Sequence, residues 1–147
     1  MGGQGEANMI TFQAENIDFP KIKKQATKNW IKLVAENYGK KIGDINYLFC
    51  TDEKILEVNN QYLSHDFYTD IITFDYSEGN NISGDIFISL DTVRTNSQKY
   101  NTGFMEELHR VIIHGILHLC GIDDKSEHEE KAMRQAENKA LKMIQAQ

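Results

Sequence analysis

His114 and His118 stand four residues apart in the run His114-Gly115-Ile116-Leu117-His118-Leu119-Cys120-Gly121, the spacing of two ligands to one metal ion. On an α-helix, residues i and i+4 project from one face, so both imidazoles can reach the same ion without bending the backbone. Val111, Ile112, Ile113, Ile116, Leu117 and Leu119 make that helix apolar nearly all round, which belongs in a core. Ring nitrogens carried inside need partners. A lone histidine in such a place is ordinarily a core residue with a hydrogen-bonded ring. For a pair at this spacing a metal satisfies both rings together.

The residues after the pair strengthen the metal reading. Gly121 suits the left-handed position that ends a helix, and Ile122-Asp123-Asp124 then turns back along the histidine face. Ser126 with Glu129 forms a capping-box pattern, from which Glu127 to Gln147 reads as a helix. Its apolar stripe is Ala132, Met133, Ala136, Ala140, Leu141 and Ile144. Three residues compete to be the third ligand: Asp123 and Asp124 in the turn, and His128 in the first turn of the new helix. Three protein ligands plus water describe a catalytic zinc, because structural sites normally close with four. The two cysteines, Cys50 and Cys120, do not make a structural site, since Cys120 lies well off the direction of both histidines on a helical wheel.

A hydrolytic site also needs a proton acceptor. In H-E-x-x-H peptidases it is the glutamate after the first histidine, a position held here by Gly115, so a zinc-peptidase reading loses its base. Asp70, Asp85, Glu107, His65 and His109 are the candidates by motif position. Each has an equally simple structural reading as a capping acid, a strand-end acid or a satisfied ring, and none is assigned.

The chain resembles the YbeY-type rRNA maturation factors, a family of metal-dependent endoribonucleases. The family signature H-G-x-L-H-L-x-G-Y-D-H aligns from His114 to Asp124 and matches at His114, Gly115, Leu117, His118, Leu119, Gly121 and Asp123, with Ile122 for tyrosine and Asp124 for the third histidine. Asn59 to Phe74 is similar to the family block N-x-x-Y-R-x-x-D-x-P-T-D-V-L-S-F, and Gly84-Asp85-Ile86-Phe87-Ile88-Ser89 to its G-D-I-x-I-S strand. Leu63 stands where that block carries arginine and Tyr68 where it carries proline. An arginine could hold phosphate through two parallel donors, which leucine cannot.

The resemblance implies that His114, His118 and Asp124 bind one divalent ion. Zinc is expected, and a two-histidine, one-carboxylate set also admits manganese, iron or nickel. It further implies hydrolysis of single-stranded RNA in late 3′-end maturation of 16S (small-subunit) ribosomal RNA and in ribosome quality control, in the cytoplasm. Two alternatives stand beside it: a metal-stabilised ribosome assembly or RNA-binding factor with little turnover, and a metal hydrolase for another substrate.

Periodicity locates the framework around these residues. Met9 to Ala14, Ile45 to Cys50, Ile71 to Tyr76 and Asp85 to Leu90 read as strands, the last two an antiparallel pair around the turn-rich stretch 77–84. Helices are expected at Lys21 to Tyr38, Asp52 to Tyr62, Thr92 to Lys99, Phe104 to Cys120 and Glu127 to Ala146. The fold class is therefore mixed α/β (α+β). One small four-stranded mixed sheet packs with about five to six helices, and the metal site lies on a central helix.

With 147 residues and 40% hydrophobic content, the chain suits one domain from residue 9 to 147. The polar, glycine-rich start at residues 1–8 reads as a leader or disordered arm. No apolar run approaches the ~20 residues of a membrane span, and two cysteines give no disulfide framework, so a cytosolic setting is expected. A net charge of −6 argues against general nucleic-acid binding, DNA included, because phosphate affinity rests on lysine and arginine. Lys21, Lys23, Lys24, Lys28 and Lys32 form one local basic cluster, either an RNA contact or the solvated face of an amphipathic helix.

Overall fold

Alternating apolar residues build a four-stranded sheet in the order β1-β2-β4-β3 in the computed structural model of the chain, which describes residues 9–63 and 69–145. The expected arm at 1–8, His65, Tyr68 and the last expected helical position, Ala146, lie outside the described residues. Strand β1 (Met9–Ala14) pairs in parallel with β2 (Lys41–Cys50), and β2 in parallel with β4 (Asn81–Ser89). Strand β3 (Ile71–Asp75) closes the edge, antiparallel to β4, as expected from the turn chemistry between them. Five helices accompany the sheet among the described residues: α1 (Lys24–Asn37), α2 (Asp52–Leu63), α3 (Leu90–Lys99), α4 (Phe104–Leu119) and α5 (Glu127–Gln145).

Several boundaries differ from those read in the sequence, each for a local reason. Helix α1 begins at Lys24 rather than Lys21, because Ile22 is drawn into the core and its amide donates to the Pro20 carbonyl at 2.8 Å. Strand β2 starts at Lys41, carried past a register shift between Ile42 and Ile45 that extends its pairing with β4. Strand β4 likewise starts at Asn81, since the reversal is confined to a tight turn where Glu78 and Asn81 exchange backbone hydrogen bonds of 3.0 Å around left-handed Gly79. Its far end stops at Ser89, not Leu90. The Ser89 hydroxyl accepts from the Thr92 amide at 3.2 Å and caps α3, which therefore opens at Leu90.

Helix α4 is the centre of the molecule. Leu108, Ile112, Ile113, Ile116 and Leu117 are fully buried, packed against a sheet face that presents Ile45, Tyr47, Ile82, Ile86 and Ile88 to the same core. Two long-range hydrogen bonds fix the surrounding elements: the Tyr47 hydroxyl donates to the Ile112 carbonyl at 2.8 Å, and the Trp30 indole N–H to the Ala140 carbonyl at 2.7 Å. Buried polar groups of this kind hold position because leaving either unpaired costs its full desolvation.

Gly115 brings α4 close to the sheet. A Cβ there would meet Ile86 Cδ1 at 3.0 Å and Ile71 Cδ1 at 3.2 Å, so the residue after His114 faces the sheet, where a side chain fits only if those methyl tips give way. Gly84 is tighter still, with the Phe74 carbonyl oxygen 2.5 Å from a Cβ position. These contacts rank two substitutions. Gly84→Ala must push strand backbone apart and should lose about 1–3 kcal/mol of stability. Gly115→Ala meets only methyl tips and gains about 1 kcal/mol of helix propensity, so its net loss should be smaller. Urea denaturation of both variants tests the order.

Candidate metal centre

The turn after α4 delivers the acid to the histidines. Gly121 adopts φ +101°, its amide donates to the His118 carbonyl at 2.9 Å, and the Ile122 amide donates to the Leu117 carbonyl at 3.0 Å. This is a Schellman end, which reverses the chain over the last helical turn. Capping then fixes the start of α5: the Glu129 amide donates to Ser126 Oγ and the Ser126 amide to Glu129 Oε1, both at 3.1 Å. Asp123 and Asp124 are confined between these two anchors.

His114, His118 and Asp124 converge, each offering a ligand atom within 4.8 Å of the others. Both imidazole Nε2 atoms lie 3.4 Å from Asp124 Oδ2. That separation is longer than a charge-assisted hydrogen bond, at roughly 2.7–2.9 Å. It matches the edge of about 3.3 Å that tetrahedral ligands at zinc-like bond lengths of about 2.0–2.1 Å would span. The donor set therefore fits a divalent ion. Asp123 lines the same cleft without joining the ligand cluster, and His128 is exposed on α5 outside it.

Glu137 of α5 completes the arrangement and was not singled out from the sequence. Its Oε2 lies 2.7 Å from His114 Nδ1, which commits that nitrogen to the hydrogen bond and turns the Nε2 lone pair toward the cluster. Ligating histidines are characteristically oriented this way. The carboxylate is only 6% exposed and is held on its other oxygen by Arg110 Nη1 at 2.9 Å, while Arg110 Nη2 donates to Asn138 Oδ1 at 2.9 Å. Burial pushes the Glu137 carboxyl up, but the hydrogen bonds and charges of His114 and Arg110 outweigh it and leave the pKa lowered. Burial likewise pulls His114 down, and Glu137, Asp124 and Asp70 more than reverse this to a raised pKa. The sequence held one signal for Glu137: it sits four residues from both Met133 and Leu141, an acid inside the buried stripe.

The cluster opens into a polar cleft of about 540 Å³ lined by Asp70, Thr73, Asp75, His114, His118 and Asp124, among others. Of the described proton-acceptor candidates, only Asp70 lines this cleft. Burial raises its carboxyl pKa against the opposing charge of His114. Glu107 is buried two helical turns away on the same face of α4 and lines a neighbouring cleft. Asp85 points to the other side of the sheet, accepting from Asn46 Nδ2 at 3.1 Å. His109 packs edge-on against Trp30, ring centroids 5.7 Å apart, and burial lowers its pKa. Burial raises both thiols, Cys50 to about 12 and Cys120 to about 11. The α1 lysine cluster borders none of the clefts around His114.

Comparison with known proteins gives a consistent picture. The Endoribonuclease YbeY family model matches residues 9–145. A Parabacteroides distasonis protein named Endoribonuclease YbeY is 66% identical over 135 residues, covering 92% of this chain and 95% of its own length. A Bacteroides thetaiotaomicron protein of the same name is 62% identical over 134 residues, covering 91% and 98%. A Thermotoga maritima protein solved in solution superposes with a TM-score of 0.64 at 29% identity, covering 92% of this chain and 89% of that one. With the family model spanning nearly all of the described residues, the chain belongs to the Endoribonuclease YbeY family.

Proposed function

We propose that this protein is a metal-dependent endoribonuclease, one hydrolase domain from residue 9 to 147. It cuts single-stranded RNA in 3′-end maturation of small-subunit ribosomal RNA, in the cytoplasm. The observation that carries the reading is the convergence of His114, His118 and Asp124 at the floor of an open polar cleft, in a chain whose relatives are named for RNA cleavage. Among the described residues no helix is long and apolar enough to cross a membrane.

His114, His118 and Asp124 hold the ion, for which zinc is the assignment and manganese, iron or nickel the competitors. When bound, such an ion supplies Lewis acidity, lowering the pKa of a water and polarising a phosphoryl oxygen. Glu137 keeps the His114 ring turned so that Nε2 faces the cleft. Asp70 accepts the proton of the attacking water. Its raised pKa keeps it basic enough for the task, and activity should rise with pH as this carboxyl ionises. Leu63, 40% exposed at the end of α2, stands where the family block has arginine. This favours modest turnover, and it is the observation behind a competing reading as an RNA-binding assembly factor.

Metal content tests the ligand set. Protein purified without chelator should carry about one divalent ion per chain. The His114→Ala/His118→Ala and Asp124→Ala variants should lose it and His128→Ala should keep it, and the reverse order in the last two would move the third ligand to His128. Glu137→Gln should weaken affinity about 10–100-fold by calorimetry. Affinity should also fall as pH drops through the raised His114 pKa, because a protonated imidazole cannot ligate.

Turnover tests the reaction. On a labelled single-stranded RNA with zinc or manganese, wild type should cut, His118→Ala should not, and Asp70→Asn should be slower by about 10²–10⁴-fold while retaining metal. Leu63→Arg should raise the rate. Equal cutting by wild type and His118→Ala would mark a contaminant. Binding of ribosomal RNA without any cutting would replace the nuclease by the assembly factor.

A further inference from the structure

Beside the candidate metal cluster lies a second cleft, of about 180 Å³, which shares Asp70, His114 and Glu137 with the proposed hydrolytic machinery. It is lined further by Asn96 and Tyr100 of the α3 end, Glu107 and Arg110 of α4, and Arg134 of α5. Glu107 is its unusual member. The residue is 7% exposed, yet its carboxyl accepts no hydrogen bond among the described residues. Arg110, one turn along the helix, directs its two terminal nitrogens to Glu137 and Asn138. The carboxyl is not sealed from solvent, since only Thr102 Oγ1 is a buried, unpartnered side-chain polar atom among the described residues; it opens onto the cleft, and burial raises its pKa against the opposing charges of Arg110 and Arg134. A carboxyl with no donor among the described residues that opens onto a cleft is placed to take its donors from a ligand.

The other walls indicate which ligand. Tyr100 is 56% exposed at the rim, with Lys99 Nζ 5.6 Å from its ring centroid, and exposed aromatic rings of this kind stack unpaired bases. Asn96 adds an amide. Arg134 lines both this cleft and the one shared by His114 and Asp124, so it borders the route that a connecting phosphate would take. Glu107 and His114 are separated by seven residues, about 10 Å along the helix, a span that a single nucleotide bridges from phosphate to base.

Building on the endoribonuclease reading, we propose that this cleft is a base-recognition subsite for the nucleotide next to the scissile phosphate, and that it selects guanine. Guanine is the base whose Watson–Crick edge offers two adjacent donors, N1–H and the N2 amino group, to one carboxylate. Glu107 accepts both, Tyr100 stacks the ring and Arg134 takes the phosphate. Uracil and adenine cannot present that donor pair, and cytosine presents only its amino group.

Calorimetric or NMR titration with the four nucleoside 5′-monophosphates tests the pocket without turnover, and end-mapping of a mixed-sequence single-stranded RNA tests it during turnover. Guanosine monophosphate should bind about tenfold more tightly than the others, and cuts should cluster beside guanines. Glu107→Gln, which trades one acceptor for a donor, should abolish the preference with metal content unchanged. Tyr100→Ala, an exposed substitution that leaves the core intact, should weaken all four nucleotides alike by several-fold. Equal binding of the four by wild type, or a guanine preference surviving Glu107→Gln, overturns the subsite even if RNA is cleaved. Guanine preference without cleavage sustains the subsite and defeats the nuclease reading instead.

Discussion

The hydrogen bond between His114 Nδ1 and Glu137 Oε2, at 2.7 Å, is the contact on which the functional face depends. It joins the metal-bearing helix to the last helix of the chain and decides which nitrogen of the ring is offered to the cleft. Glu137 can serve only because it is itself satisfied: Arg110, one turn before His114 on α4, neutralises its other oxygen. A charge this deeply buried costs several kcal/mol of desolvation unless its partners are well placed. Here the partners are a guanidinium and an imidazole on a single helix face, so removing any of the three leaves a buried group uncompensated. The arrangement contributes to orientation more than to stability.

A second constraint comes from beneath. Gly115 brings α4 onto Ile86 and Ile71, and that approach sets the height of His114 and His118 above the sheet. It also explains why a glycine, rather than a catalytic acid, follows the first histidine. A side chain at 115 would point into packed isoleucines, away from the cleft, so the proton acceptor must come from elsewhere. Asp70, the proton acceptor of the proposed reaction, lies on that cleft. It immediately precedes β3, its carbonyl accepts the Ser89 amide at 3.0 Å, and pairing of β3 with β4 thereby anchors the backbone that carries it beside the helix.

The face of α4 that carries Glu107, Arg110, His114 and His118 thus divides its labour along its length. Its C-terminal end offers ring nitrogens to an open polar cleft, its middle is tied to α5, and its N-terminal end turns a carboxyl to a second cleft. The opposite side of the same helix is pure core, with Leu108, Ile112 and Ile116 fully buried. Amphipathicity here separates hydrophobic packing from chemistry rather than from bulk solvent.

The local physics written in consecutive residues was legible without a structure. The i, i+4 histidines, the glycine that ends α4, the capping box that starts α5 and the antiparallel pairing of β3 with β4 all depend on neighbours within a few positions, where spacing alone decides geometry. Element ends were less legible, because Ser89 and Ile22 act through a cap and a core contact that periodicity does not encode. Hidden from the sequence were the partners separated by long stretches of chain. Glu137 reads as one more acid in a charged helix until α5 is laid against α4. Asp85 and Asp70 look alike as candidates until the sheet puts one on its far face and the other beside the histidines. The order β1-β2-β4-β3 and the packing of α5 onto α4 decided those placements, since which side of a sheet or helix a residue meets is a property of the assembled layers and not of the residue's own segment.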